Sequence, residues 1–249
     1  MDFKLHKPTH LFALFLLILS LLIIDVVPMF SFFQSFPSTG TAYEDLPAEV
    51  RLIFELFLVA ISLLLVIGLM VVIPFLWYYL VNRLRIPEIM SRLQLRREKL
   101  GMAVLWGIIG AVGALAISFA IELILLRLGV DLTNASNIPQ LEQLLSLPAI
   151  VILVSIQPIA EEIFFRGFLF DKISSYTKAP LAILITAALF GIAHLSYGMM
   201  YTALMAGIIG AVFGVVVWRT KNLYAGIAAH IFLNVTSITV YILGKSLGF

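Results

Sequence analysis

The chain has 249 residues, 62% of them hydrophobic and only 12% charged, where ordinary soluble domains run at about 45–50% apolar and about 25% charged. With a mean hydropathy of +1.10, this composition excludes a soluble globule, whose surface it could not cover, and a disordered chain, which must be far less apolar. A net charge of +2 gives no basic field for nucleic acid, and the absence of cysteine excludes disulfides, cysteine-zinc sites, Fe–S clusters and thiol nucleophiles.

A polytopic membrane protein remains. A spanning helix needs about 20 mostly apolar residues. Seven runs qualify, at 10–33, 52–81, 101–126, 147–170, 180–198, 201–219 and 222–243. Their hydrophobicity is continuous and lacks the period-two alternation of a membrane barrel, so helices are expected. The expected fold is all-α, a polytopic transmembrane helical bundle of about seven spans, with eight as the alternative.

In chain order, Lys4 and Lys7 precede the first span, which reaches Phe33 without a small-x-small cleavage site and reads as an uncleaved helix. The 34–51 loop is acidic, with Glu44, Asp45 and Glu49 against Arg51. Span 52–81 is long and contains Pro74, a place for a kink or a tilt. The 82–100 stretch carries Arg83, Arg85, Arg92, Arg96, Arg97 and Lys99, with Ile86, Ile89, Met90, Leu93 and Leu100 among them. It reads as a short helix lying on the membrane surface or as a solvated basic loop. Gly107, Gly110 and Gly113, and then Gly207, Gly210 and Gly214, recur at a spacing that lets helices pack closely. Arg127 is the one basic residue of the 127–146 loop; Lys172 and Lys178 follow span four, and Arg219 and Lys221 separate spans six and seven. Because lysine and arginine collect on the cytoplasmic side, the N-terminus, the 82–100 loop, the 171–179 loop and the 219–221 turn are expected there. The C-terminus then lies outside with seven spans and inside with eight.

Ionisable groups inside spans are costly and therefore informative. Asp25, Glu55 and Glu122 lie toward outer helix ends, where they can reach the interface. The fourth span differs, reading Gln157-Pro158-Ile159-Ala160-Glu161-Glu162-Ile163-Phe164-Phe165-Arg166. Glu162 and Arg166 are one turn apart and can pair, while Glu161 points about 100° away and has no partner within its helix. Pro158 leaves the carbonyl of Val154 without its helical donor and is expected to kink the helix. Span five supplies His194, and span seven His230 and Asn234, which share one helix face. His6 and His10 read as surface residues. At about 1.5 Å per residue, Glu161 and His230 lie roughly 12–13 Å from the cytoplasmic ends of their spans, Asn234 roughly 18 Å and His194 roughly 21 Å. They can line one intramembrane cavity opening to the cytoplasm.

A carboxylate and an imidazole facing one water can act as general base and orienter, and a second imidazole with an amide N–H can stabilise an oxyanion. Glu161, His194 and His230 can alternatively hold a divalent metal such as zinc. The zinc-protease signature H-E-x-x-H is absent.

Glu161-Glu162-x-x-x-Arg166, Phe190-x-x-x-His194 and His230-x-x-x-Asn234 together resemble the three-motif signature of the CAAX prenyl protease family, the Abi or CPBP group of intramembrane proteases. The resemblance covers roughly 145–243. It implies a catalytic four-helix core at 146–249, preceded by three N-terminal spans with the basic loop over 1–145. It implies that Glu161 activates the hydrolytic water with His194 as helper or ligand, that His230 and Asn234 form the oxyanion site, and that Glu162, Arg166 and Phe190 support them. The substrate implied is a peptide or prenylated protein at the lipid bilayer, cleaved for example to remove a C-terminal tripeptide. The family contains members assigned a metal and members assigned a metal-free glutamate mechanism. It also contains members linked to bacteriocin immunity, so a non-catalytic scaffold of the same fold is the second reading. A proton-coupled transporter is a third, but it calls for inverted repeats, and the polar residues lie in the C-terminal half only. The implied location is the plasma membrane of a prokaryote or the endoplasmic reticulum of a eukaryote.

Overall fold

The computed structural model describes residues 3–4, 6–26, 47–132, 142, 145–195 and 200–247. Among them the helices run in order α1 (Pro8–Leu21), α2 (Ala48–Leu80), α3 (Ile86–Arg92), α4 (Leu100–Arg127), α5 (Leu147–Ser174), α6 (Ala179–Ala193), α7 (Met200–Thr220) and α8 (Leu223–Leu247). By length and composition, α2, α4, α5, α7 and α8 are long and apolar enough to cross a membrane; α6 and the Pro8–Ile24 helix are apolar but shorter. The acidic 34–46 stretch, the end of the first expected span beyond Val26 and most of the 127–146 loop lie outside the described residues.

Prolines mark where the helical hydrogen-bond register changes. α2 winds as a π-helix over Gly68–Val72, immediately before Pro74, which cannot donate to the preceding turn. α5 is α-helical over Leu147–Glu162, with Pro158 inside it, and π-helical over Ile163–Leu169. The wider turn follows directly on the Glu161-Glu162 pair, and every residue of it is buried.

The bundle is held by close backbone approaches, since in lipid tight packing rather than water exclusion drives helix association. A Cβ at Gly191 of α6 would lie 2.7 Å from the Ala203 carbonyl oxygen of α7. Gly107 of α4 sits against the Ala225 carbonyl of α8, and a Cβ at Gly110 would lie 2.6 Å from Val216 of α7. Gly113 has nothing within 4 Å, so it takes no part in the packing set expected of it.

The 82–100 stretch resolves into α3 followed by turns, with its apolar side turned into the bundle. Ile89 and Leu93 are fully buried in one cluster with Tyr78, Phe164, Phe165, Phe168 and Leu223. The Arg85 N–H donates to the Glu88 carboxylate at 2.6 Å, satisfying the first turn of α3. Asp171 joins three helices: it accepts from the Tyr78 hydroxyl at 2.9 Å and pairs with Arg92 at 2.9 Å. That carboxylate holds the Arg92 guanidinium pKa above its ordinary value, chiefly through the hydrogen bond. The α7–α8 turn is stitched to the same end, where Leu223 N–H donates to the Gln94 carbonyl and Asn222 Nδ2 to the Arg96 carbonyl, both at 2.9 Å.

Candidate active site

The last α-helical turns of α5 present Gln157, Pro158, Glu161 and Glu162, and the π turn beyond them presents Arg166. Arg166 Nη1 donates to Glu162 Oε1 at 2.7 Å, with both side chains at most 1% exposed. This is the pair that the i, i+4 spacing predicts. The guanidinium carbon also lies 4.2 Å from the centre of the Phe190 ring and 6.0 Å from that of Phe213. Arg166 Nε and Nη2 have no hydrogen-bond acceptor among the described residues, and the aromatic faces supply negative potential in its place. Gly210 and Gly226 leave the room this pair needs. A Cβ at Gly210 would lie 2.8 Å from Arg166 Nη2, and one at Gly226 would lie 2.7 Å from Glu162 Oε2.

Glu161 is not without a partner in its own helix. The Gln157 amide, one turn earlier, donates to Glu161 Oε1 at 2.7 Å. The same spacing rule that exposed Glu162 and Arg166 also pointed to this bond. The other oxygen, Oε2, faces His230 Nε2 at 3.6 Å. His230 is buried on α8, and its Nδ1 lies 3.0 Å from Glu162 Oε1. A carboxylate can only accept there, so Nδ1 donates its N–H, and Nε2 is turned to Glu161. Phe190 and Phe213 pack against the imidazole at ring-centre distances of 5.7 Å and 5.5 Å, which fixes its plane.

His194 stands at the C-terminal end of α6, and its Nδ1 is 2.8 Å from the Phe190 carbonyl. The carbonyl accepts, so Nδ1 donates and Nε2 keeps its lone pair. Phe190 lies 4.5 Å from this ring as well, so a single phenyl braces both histidines and the arginine. Asn234, one turn beyond His230, donates through Nδ2 to the Val154 carbonyl at 3.4 Å. That is the carbonyl which Pro158 deprives of its helical donor.

Glu161, His194, His230 and Asn234 therefore line one cavity of about 250 Å³, together with Gln157 and Ser237. A second cavity, about 170 Å³, reaches Glu161, Gln157 and His194 from the side of α1 and α2, walled by Ile24, Leu65, Leu69 and Met70. Among the described residues no three His, Asp or Glu side chains are gathered closely enough to hold one metal ion. Glu161, His194 and His230 share the cavity without forming such a group.

Other sequence-selected residues take structural positions. Glu55 accepts from the Ser146 N–H at 2.9 Å and from its hydroxyl, tying α2 to the start of α5, and Glu122 is exposed. The side chain of Asp25 lies outside the described residues. His6 is exposed as expected, but His10 is buried: its Nδ1 accepts the Lys4 N–H at 3.0 Å and its ring packs on Phe3. The segment preceding α1 folds back over it. Sequence reasoning assigned no role to Gln157 or Phe213, nor to Gly226.

A family model described as type II CAAX prenyl endopeptidase Rce1-like matches residues 143–236, the stretch from just before α5 into α8. Two proteins of Bacillus subtilis (strain 168) are similar. "Putative membrane peptidase YdiL" is 32% identical over 145 residues, which are 56% of this chain and 57% of that protein. "Uncharacterized protein YyaK" is 42% identical over 91 residues, 34% of this chain and 30% of that protein. The chain thus spans little more than half of the first relative and less than a third of the second. No solved structure matches it.

Proposed function

Because residues 143–236 match the model described as type II CAAX prenyl endopeptidase Rce1-like, we propose that this chain is an intramembrane endopeptidase in which a glutamate activates water. The observation that carries the reading is the buried pair of Glu161 Oε2 and His230 Nε2 facing one another at 3.6 Å, in a cavity that His194 and Asn234 also line. The reaction is hydrolysis of a peptide bond without a protein nucleophile. Glu161 takes a proton from a water, and the resulting hydroxide adds to the scissile carbonyl carbon. The tetrahedral oxyanion is held by Asn234 and by His230, which donates from Nε2 while its Nδ1 N–H stays on Glu162. The proton then passes from Glu161 to the departing amine as the C–N bond breaks.

The hydrogen bonds around the site assign the supporting roles. Gln157 occupies Glu161 Oε1, leaving Oε2 as the basic oxygen. His194, with Nδ1 committed to the Phe190 carbonyl, offers Nε2 as an acceptor that orients the water. An amide nitrogen carries two N–H groups, so Asn234 keeps one for the oxyanion while the other holds Val154. Glu162, Arg166 and Phe190 position His230.

In this reading all seven apolar helices span the bilayer, and α5 to α8 form the catalytic core of 146–249 behind the N-terminal helices of 1–145. The basic end of the bundle, with Arg92, Arg96, Lys99 and Lys221, faces the cytoplasm, and the site opens toward that side. The substrate is a membrane-associated peptide, with the C-terminal tripeptide of a prenylated protein as the first candidate. The apolar cavity walled by Ile24, Leu65, Leu69 and Met70 supports a lipophilic group beside the scissile bond. The test is a quenched peptide ending in a CAAX box, offered with and without a farnesyl group to the purified protein. Faster cleavage of the farnesylated form supports the prenyl substrate. Equal cleavage keeps the peptidase and removes the prenyl preference. No cleavage of either, with the protein folded, favours a scaffold.

A further inference from the structure

At the basic end of the bundle a large groove, about 1030 Å³, lies between the first half of α4 and the last half of α7 and shares no lining residue with the Glu161 cavity. The volume is at the top of the range of about 300–1,000 Å³ for ligand sites. Its walls are Met102, Trp106 and Ile109 of α4 and Val215 of α7, each between about two-fifths and just over half exposed. The floor closes where Gly110 lets Val216 approach. Four cations, Arg96, Lys99, Arg219 and Lys221, ring the mouth against a single carboxylate, Glu98.

Two details set this mouth apart from an ordinary basic turn. Lys99 and Lys221 both hold left-handed backbone, with φ of 55° and 51°, where glycine is the unstrained choice. These turns nonetheless carry a charged side chain to the groove. Arg219 and Lys221 also gather about the Trp218 ring, 4.7 Å and 5.6 Å from its centre, and tryptophan is a residue type enriched at the level of lipid headgroups. An apolar slot along the helices with cations at one end has the polarity of an anionic phospholipid: acyl chains lie in the slot and the phosphate meets the basic ring. Basic pockets between helices are general sites for such headgroups.

We propose that this groove binds one anionic phospholipid, with its headgroup phosphate among Arg96, Lys99, Arg219 and Lys221 and an acyl chain against Trp106. The proposal stands apart from the peptidase reading, since it uses none of the residues around Glu161. It is tested by native mass spectrometry of the full chain in mild detergent, with dioleoyl phosphatidylglycerol and dioleoyl phosphatidylcholine supplied together. One phosphatidylglycerol is expected to remain bound, at a preference of at least about tenfold. R96Q/K99Q/R219Q/K221Q should lose the preference, and M102W/V215W, which fills the slot but keeps the cations, should lose the bound lipid. A second readout does not depend on altered charges. In nanodiscs, phosphatidylglycerol with brominated acyl chains should quench a fluorescence component that W106F removes, more strongly than brominated phosphatidylcholine does. Equal retention of the two lipids, a preference that survives both multiple variants, or quenching that ignores Trp106 would each overturn the proposal.

Discussion

The amide of Asn234 on α8 donates to the carbonyl of Val154 on α5, the one backbone oxygen that Pro158 leaves without its helical donor. The proline therefore does more than bend a helix. It exposes a docking point that seats the helix carrying His230 against the helix carrying Glu161. The same two helices are joined a turn away by the bond between Glu162 and His230.

Removing the amide should cost stability, and restoring the helical donor should recover it. Asn234→Ala is expected to destabilise by about 1 kcal/mol, the usual worth of such a bond. In Pro158→Ala the new N–H can bond Val154, so the double variant should lose less than the sum of the two single changes. Thermal unfolding of all four proteins in one detergent checks this. Strictly additive changes would show that the Asn234 bond has no energetic connection to Pro158.

The buried Glu162–Arg166 pair gives a prediction of larger size. Glu162→Ala leaves the guanidinium in the core without its anion and takes away the acceptor of His230. Breaking a buried pair in this way costs about 3–5 kcal/mol. Glu162→Leu/Arg166→Met, which removes both charges, should be clearly more stable than Glu162→Ala while remaining inactive. A double variant as unstable as the single one would mean that the pair does not set the stability of this region.

Two helical glycines should respond in opposite directions. Gly226→Ala puts a methyl group 2.7 Å from Glu162 Oε2 and 2.7 Å from Val217, so it should destabilise by about 1–3 kcal/mol and lower turnover. Gly113→Ala meets nothing within 4 Å and should stabilise by about 0.5–1 kcal/mol, with activity unchanged. Denaturation midpoints and turnover, measured side by side, decide it. Equal effects would contradict the close approach at Gly226.

These residues also show what the sequence makes legible. Composition gives the class of protein, and apolar runs locate the helices. Side chains one turn apart announce themselves, which is why Glu162–Arg166 is readable and Gln157–Glu161 was readable by the same rule. The contact between His230 and Glu162 joins residues 68 apart in the chain, and only the packed bundle determines it. Pro158 marks where α5 is disturbed but not that the winding after Glu162 becomes π, because that is a choice of hydrogen-bond register and not of residue type. Spacing of small residues shows that helices pack but not which face meets a neighbour, so Gly113 and Gly110 look equivalent until the fold separates them. His10 misleads for a related reason: the residues before α1 cover it, and nothing local announces that fold-back.

The most direct test of the water-activating role of Glu161 is turnover by Glu161→Gln, which keeps the size of the side chain and the possibility of a bond to Gln157 but abolishes the base. Purified wild type and variant, matched for folded content by thermal unfolding, are given the same quenched farnesylated CAAX peptide in nanodiscs. The account predicts cleavage by the wild type and a fall of at least about 100-fold in the variant, at the lower end of what a positioned general base contributes. Cleavage by Glu161→Gln at the wild-type rate would contradict it and move the base to another residue of the cavity.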